Sequence, residues 1–173
     1  MSVSLSRLRF LVVDDNPHAI NLTKALLRGF DVVNVEEART IAEAKVKLAA
    51  GAIDIVILDY LMGAEEGVTL ARFLRTHPDS PLPYVPIIML TGHADRQRVM
   101  AARDAGVNEF CVKPVAPADL LKRIMAVIDH PRQFIRSGSY FGPDRRRVDD
   151  PRYKGPERRA DRKAATRATT GAR

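Results

Sequence analysis

The chain has 173 residues, with 28 Lys or Arg against 21 Asp or Glu and a formal net charge of +7. Its 46% hydrophobic content suits one globular core. The lone Cys111 excludes an intramolecular disulfide, and no window approaches the roughly 20 apolar residues of a membrane span. The charge is unevenly placed: residues 131–173 hold 13 basic and five acidic side chains, net +8, which leaves net −1 for residues 1–130. Large apolar residues are concentrated before His130. A folded domain over residues 1–130 is therefore expected, followed by an arginine-rich extension over 131–173 that orders only when a ligand binds. With no long apolar leader, a cytoplasmic protein is expected.

Short β-rich runs alternate with helical patterns along the first part. Strands are predicted at 10–13, 32–35, 53–58, 85–90 and 109–112, and helices at 17–28, 40–50, 67–76, 94–105 and 117–129. Pro17 suits a first helical turn, Gly29 and Gly106 suit helix ends, and Pro114 and Pro117 break the chain before the last helix. The Pro-rich stretch from Pro78 to Pro86 reads as a loop. Five βα units imply an α/β fold with a parallel sheet covered on both faces.

In such a sheet, chemistry collects beyond the carboxyl ends of the strands. Asp14 and Asp15 follow the first predicted strand, Asp59 the third, Thr91 the fourth and Lys113 the fifth. Each residue singly is explained as well by a helix cap or a solvated loop; all five at successive strand ends are not. Three crowded carboxylates imply a hard divalent cation, Mg²⁺, held by Asp14, Asp15 and Asp59. Such a set suits phosphorylation of Asp59, with Thr91 and Lys113 on the remaining phosphoryl oxygens. His18, His77, His93 and His130 lack metal-ligand spacing. No Gly-rich nucleotide loop or Ser-His-Asp set is present, so catalysis on an external substrate is not expected.

Residues 8–130 resemble the receiver domain of two-component response regulators, CheY-like in fold, whose sheet order is 2-1-3-4-5. The resemblance rests on Asp14-Asp15, Asp59, Thr91 and Lys113-Pro114, and it implies a cis peptide bond before Pro114 and a switch role for Phe110 beside that of Thr91. It also implies a histidine kinase as phosphoryl donor. Gly63 departs from the pattern, standing where receivers commonly carry Pro, and is expected to loosen the loop after Asp59.

The extension repeats one phrase. Tyr140-Phe141-Gly142-Pro143-Asp144-Arg145-Arg146 returns as Tyr153-Lys154-Gly155-Pro156-Glu157-Arg158-Arg159, 13 residues later. A carboxylate can accept from the N1 and N2 edge of guanine, Arg can fork onto O6 and N7, and an aromatic or guanidinium plane can stack on the base. An arm that only neutralises phosphate gains nothing from Asp144 or Glu157. Two copies fit a two-fold ligand with two guanines and two phosphates, cyclic di-GMP. In this reading Arg145, Arg146, Arg158 and Arg159 divide between guanine, phosphate and stacking, and Arg136 and Arg147 add charge. Tyr140 and Tyr153 pack on base or ribose, while Gly142 and Gly155 allow close backbone approach.

The run from Arg136 through Ser139 and Tyr140 to Arg146, with the second Gly155-Pro156-Glu157-Arg158-Arg159, resembles the Cle family of CheY-like cyclic di-GMP effectors. That resemblance implies ligand contacts along the run, Pro143 and Pro156 included. It further implies binding to the flagellar motor switch, recruitment to the flagellated pole, and tuning of motility and surface attachment. Two other classes fit the same residues: a plain phospho-accepting regulator in a phosphorelay, and a binder of nucleic acid or acidic membrane through the net +8 extension. Guanine selectivity and tolerance of salt separate the first class from the third, and nucleic acid is the less favoured partner.

Overall fold

The runs of Val, Ile and Leu become parallel strands, and the amphipathic segments between them cross over as helices. The computed structural model describes residues 4–92 and 95–145. In chain order the elements are β1 (Arg9–Val13), α1 (Pro17–Gly29), β2 (Asn34–Ala38), α2 (Ile41–Ala49), β3 (Ile55–Asp59), β4 (Leu61–Met62), β5 (Glu65–Glu66), α3 (Gly67–Thr76), β6 (Ile87–Thr91), α4 (Arg96–Asp104), β7 (Glu109–Val112), α5 (Pro117–Asp129), β8 (Phe134–Ser137) and β9 (Tyr140–Pro143). Five strands form one parallel sheet in the order β2-β1-β3-β6-β7. This is the expected 2-1-3-4-5 order, with the two-residue arms β4 and β5 set aside as a small hairpin.

Strand alternation divides the core into two layers. Phe10, Val12, Ile55, Ile57, Ile88 and Leu90 face α1 and α5, where Ile20, Leu27, Leu120 and Ile124 meet them. Leu11, Val13, Val56, Leu58, Ile87 and Met89 face α2, α3 and α4. Because β1, β3 and β6 are covered on both faces, their sequences are apolar nearly throughout. β2 lies at the sheet edge and carries Glu36 and Glu37, which pair with Lys47 at 3.3 Å and Lys24 at 2.6 Å.

Local hydrogen bonds explain where the strands start. Val32 was expected in β2, but its N–H donates to Leu27 O at 3.0 Å and closes the end of α1, while Asp31 takes a positive φ of 64°. Asp31, two residues beyond Gly29, is thus the left-handed residue of that turn. Val85 was expected in β6, but its N–H turns back to Leu82 O and its carbonyl accepts from Arg75. Thr40 and Asp95 cap α2 and α4 by accepting from Glu43 N and Arg98 N, so those helices begin at Ile41 and Arg96.

The larger difference lies after His130. Residues 134–143 form an antiparallel hairpin, β8–β9, packed against the α/β body, so the folded unit continues to Arg145. Its anchor is Arg75, 3% exposed on the buried stripe of α3. The guanidinium donates to Gly106 O (3.0 Å), Pro83 O (2.8 Å), Val85 O (2.8 Å) and Asn108 Oδ1 (3.0 Å), and the ring of Phe134 covers it at 5.0 Å. Burial lowers the pKa of Arg75 to about 10, which still leaves the group charged at neutral pH. Tyr84, from the Pro-rich loop, meets Phe134 and Phe141 edge-on at 5.2 and 5.3 Å.

Gly142 and Gly106 make the seam possible. A Cβ on Gly142 would stand 2.8 Å from Gly106 Cα and from Tyr140 Oη. Arg75→Ala should lower the free energy of unfolding by on the order of 3 kcal/mol in chemical denaturation, because three carbonyls and the Asn108 amide oxygen lose a buried donor. Gly142→Ala should instead release the hairpin alone, raising amide exchange over 134–143 while protection in β1, β3 and β6 is retained.

Candidate functional site

The sheet carries Asp14, Asp59, Thr91 and Lys113 to one rim because β1, β3, β6 and β7 all end there in parallel register. Asp14, Asp59 and Thr91 are buried and Asp15 is exposed. Lys113 lies between the carboxylates, with Nζ 2.9 Å from Asp14 Oδ2 and 2.8 Å from Asp59 Oδ1. The other oxygen of Asp14 accepts from Asn16 N at 2.9 Å, which ties the acid to the N-cap of α1. Lys113 N donates to Thr91 O at 2.7 Å, and the Lys113–Pro114 peptide is cis.

One ammonium does not neutralise three carboxylates. Burial pushes the carboxyl of Asp59 above its usual range; Lys113 opposes that shift and the repulsion of Asp14 adds to it. Burial by itself would depress Lys113, but its bonds to Asp59 and Asp14 reverse the sign and hold its pKa above normal. One carboxylate oxygen from each of Asp14, Asp15 and Asp59 fits within a 4.8 Å set. Oxygen donors, net negative charge and that spacing suit a hard divalent cation, so the cluster fits Mg²⁺ binding.

The loop after Asp59 is shaped by two glycines. Gly63 adopts a φ of +63°, which Pro cannot reach, at the turn of the β4–β5 hairpin. The hairpin turn thus calls for glycine at this position. Gly67 N donates to Tyr60 O at 2.7 Å, and a Cβ there would collide with the carbonyl oxygen of Asp59. Tyr60, buried beside that turn, has its phenol pushed up by burial, with the Arg98 guanidinium 5.5 Å from its ring centre.

Phe110 is half-buried in β7 and borders a small apolar space with Tyr60, Thr91 and Val99. In the extension, the first copy of the repeated phrase is described as far as Arg145. The Arg145 guanidinium stacks 4.0 Å from the Tyr140 ring, and Arg136 lies 4.8 Å from that of Phe141. Tyr140 donates its hydroxyl proton to Pro143 O at 2.7 Å, and Asp144 N donates to Gln133 O. Ser139 is exposed at the hairpin turn, while Gly142 and Pro143 are buried. Arg146, Arg147, Tyr153, Gly155, Pro156, Glu157, Arg158 and Arg159 lie outside the described residues.

Residues 10–125 match the family model described as response regulator receiver domain. The chain belongs to the response regulator receiver family. The chemotaxis protein CheY-3 of Vibrio cholerae is 31% identical over 122 residues, covering 70% of this chain and 92% of that protein. The chemotaxis protein CheY of Pseudomonas aeruginosa is 31% identical over 122 residues, 70% of this chain and 97% of that one. Among solved structures, a CheY-like receiver domain protein from Methanospirillum hungatei superposes with a TM-score of 0.62 at 29% identity, covering 70% of this chain and 94% of its own. The CheX-CheY-BeF3-Mg²⁺ complex of Borrelia burgdorferi gives 0.60 at 25%, covering 70% and 89%.

Arg75, Asn108, Glu109 and Arg132 were not singled out from sequence. The signal for Arg75 was its helical spacing: it falls on the same stripe as Ala71 and Leu74. Arg132 lies just past α5 and donates to Asn108 O and Asp144 O, tying the receiver to the hairpin.

No helix among the described residues is long and apolar enough to cross a membrane. With its pKa raised, Asp59 binds a proton more tightly in the folded state, so its contribution falls as pH rises through that range. Asp59→Asn should therefore melt higher than wild type at pH 7 in chelator. The gap should shrink as pH is lowered and Asp59 protonates, and it should close on adding Mg²⁺, which stabilises the wild type.

Proposed function

We propose that this receiver accepts a phosphoryl group on Asp59 and binds cyclic di-GMP through its arginine-rich segment, carrying both signals to the flagellar motor switch. The observation that carries the first half is the Lys113 ammonium within 3 Å of both Asp14 and Asp59 at the rim of a receiver sheet. An Asp59 oxygen forms the bond to phosphorus while the bond from phosphorus to the donor, a kinase histidine, breaks; the product is an acyl phosphate. Lys113 turns its charge to the new phosphoryl oxygens, and the Thr91 hydroxyl donates to another. Asp14, Asp15 and Asp59 would hold Mg²⁺, which would supply charge neutralisation for the phosphoryl group. The Borrelia CheY, solved with BeF3 and Mg²⁺, supports this reading.

The second half is supported by the duplicated phrase and by the Arg145–Tyr140 stack, a flat cationic platform of the kind a guanine can extend. The likeness to the Cle family supports the same ligand. The Vibrio and Pseudomonas relatives, named as chemotaxis proteins, support a motility partner. The working location is then the cytoplasm, with recruitment to the flagellated pole. One observation favours the plainer phosphorelay reading: Tyr140, Phe141, Gly142 and Pro143 pack within the hairpin seam, which accounts for half of the first copy without a ligand.

Two measurements separate these readings. Acetyl phosphate with Mg²⁺ should add one phosphoryl group to the wild type and none to Asp59→Asn, read by intact mass. Calorimetry with cyclic di-GMP, against cyclic di-AMP and GTP, should show guanine-selective binding that persists as salt is raised. Phosphorylation without such binding leaves the phosphorelay regulator, and binding that collapses with salt for every nucleotide leaves a polybasic arm.

A further inference from the structure

The β8–β9 hairpin is docked on the receiver body without being woven into it. It forms a two-stranded sheet of its own, with no ladder to the five-stranded sheet. Neither core layer contains a hairpin residue. Its attachments are the Phe134 ring on the Arg75 guanidinium, the edge-on contacts of Tyr84 with Phe134 and Phe141, and two arginines. Arg132 pairs with Glu109 at 3.5 Å and donates to Asn108 O, while Arg145 pairs with Asp104 at 3.2 Å. The four acceptors of Arg75 all belong to the body, so those bonds survive when the hairpin leaves. A lone two-stranded hairpin is marginal by itself, and units of this kind open at a lower free energy than the whole fold.

The seam uses the same groups that the repeated phrase offers to a ligand. One face of the Tyr140 ring carries the Arg145 guanidinium at 4.0 Å, and the hydroxyl donates to Pro143 O. Phe141 is buried. The side of Gly142 on which a nucleotide could approach the backbone is filled by Gly106. Arg145, the guanidinium placed to fork onto phosphate or guanine, is paired with the Asp104 carboxylate. Asp104 presents one negative charge and two oxygens, as a phosphodiester does. The docked hairpin therefore makes to the body the contacts that the phrase would make to an anionic nucleotide.

We infer that the docked hairpin is an autoinhibited form of the repeated phrase, and that cyclic di-GMP binds the phrase after the hairpin leaves Asp104, Gly106 and Tyr84. The inference rests on the cyclic di-GMP reading and adds a regulation to it. Apparent affinity is lowered by the fraction of molecules that are undocked. Weakening the seam from the body side thus tightens binding without touching a ligand contact.

The test is calorimetry of cyclic di-GMP on full-length protein, comparing wild type with Tyr84→Ala and Asp104→Asn. Both residues lie outside the phrase and have exposed side chains. Each variant should bind about two- to tenfold more tightly than wild type. Acetyl phosphate should label Asp59 in both to the wild-type level, which checks that the receiver is folded. In wild type, ring-proton NOEs from Tyr84 to Phe134 and Phe141 should be lost on saturation with ligand. Unchanged or weaker binding in both variants, or NOEs that persist in the saturated protein, would overturn the inference and leave the cyclic di-GMP reading standing, with ligand meeting the docked hairpin. No binding by wild type or by either variant overturns that reading itself, and the autoinhibition falls with it.

Discussion

Packing buried negative charge at the rim of a parallel sheet is the constraint on which the rest of this molecule depends. The sheet needs β1, β3 and β6 apolar on both faces, and their carboxyl ends bring Asp14 and Asp59 into a space from which water is largely removed. Lys113 is the internal counterion, and its backbone is fixed by Thr91 on the neighbouring strand. The compensation is incomplete, as the upward push on Asp59 records. An acid held under that pressure gains by any event that brings positive charge beside it or converts its oxygen to a covalent bond.

Arg75 states the opposite case. It too is a buried charge, but its donors go to three neutral carbonyls and the Asn108 amide oxygen. A planar fork can satisfy several backbone acceptors from different loops at once, which an ammonium could not do in that arrangement. The guanidinium thereby joins α3, the Pro-rich loop and the segment before β7, and offers its face to Phe134. The hairpin docks on this prepared surface. Half of the first repeated phrase is spent on that docking, which leaves Asp144 and the arginines to carry any recognition.

What could be read from the sequence follows the range of the interactions. The five βα units and the clustering of Asp14, Asp15, Asp59, Thr91 and Lys113 rest on periodicity and on strand ends, both local signals; the sheet order came with the resemblance to receiver domains. The β8–β9 hairpin was missed because residues 131–145 look polar and basic in isolation. Their few large apolar groups, Phe134 and Phe141, find burial only against Tyr84 and Arg75, distant in sequence. Composition reported that this segment lacks a core of its own, which is true. It could not report that another part of the chain supplies one. Gly63 shows a constraint that sequence alone did not reveal: its φ of +63° is one that Pro cannot reach, so the turn itself calls for glycine.

The space beside Thr91 and a cavity lined by Arg103, Arg123, Arg132 and Arg145 share one wall. Phe110 borders the apolar space it forms with Thr91 and Tyr60, and it also lines the four-arginine cavity. One ring therefore enters the packing energy of both places. Arg132 and Arg145 tie the two ends of the hairpin to β7 and α4 through Glu109 and Asp104. A segment tethered only by a flexible linker would leave the packing of the receiver body untouched; the docked hairpin is part of it, so the first copy of the repeated phrase and the receiver core share one packing boundary.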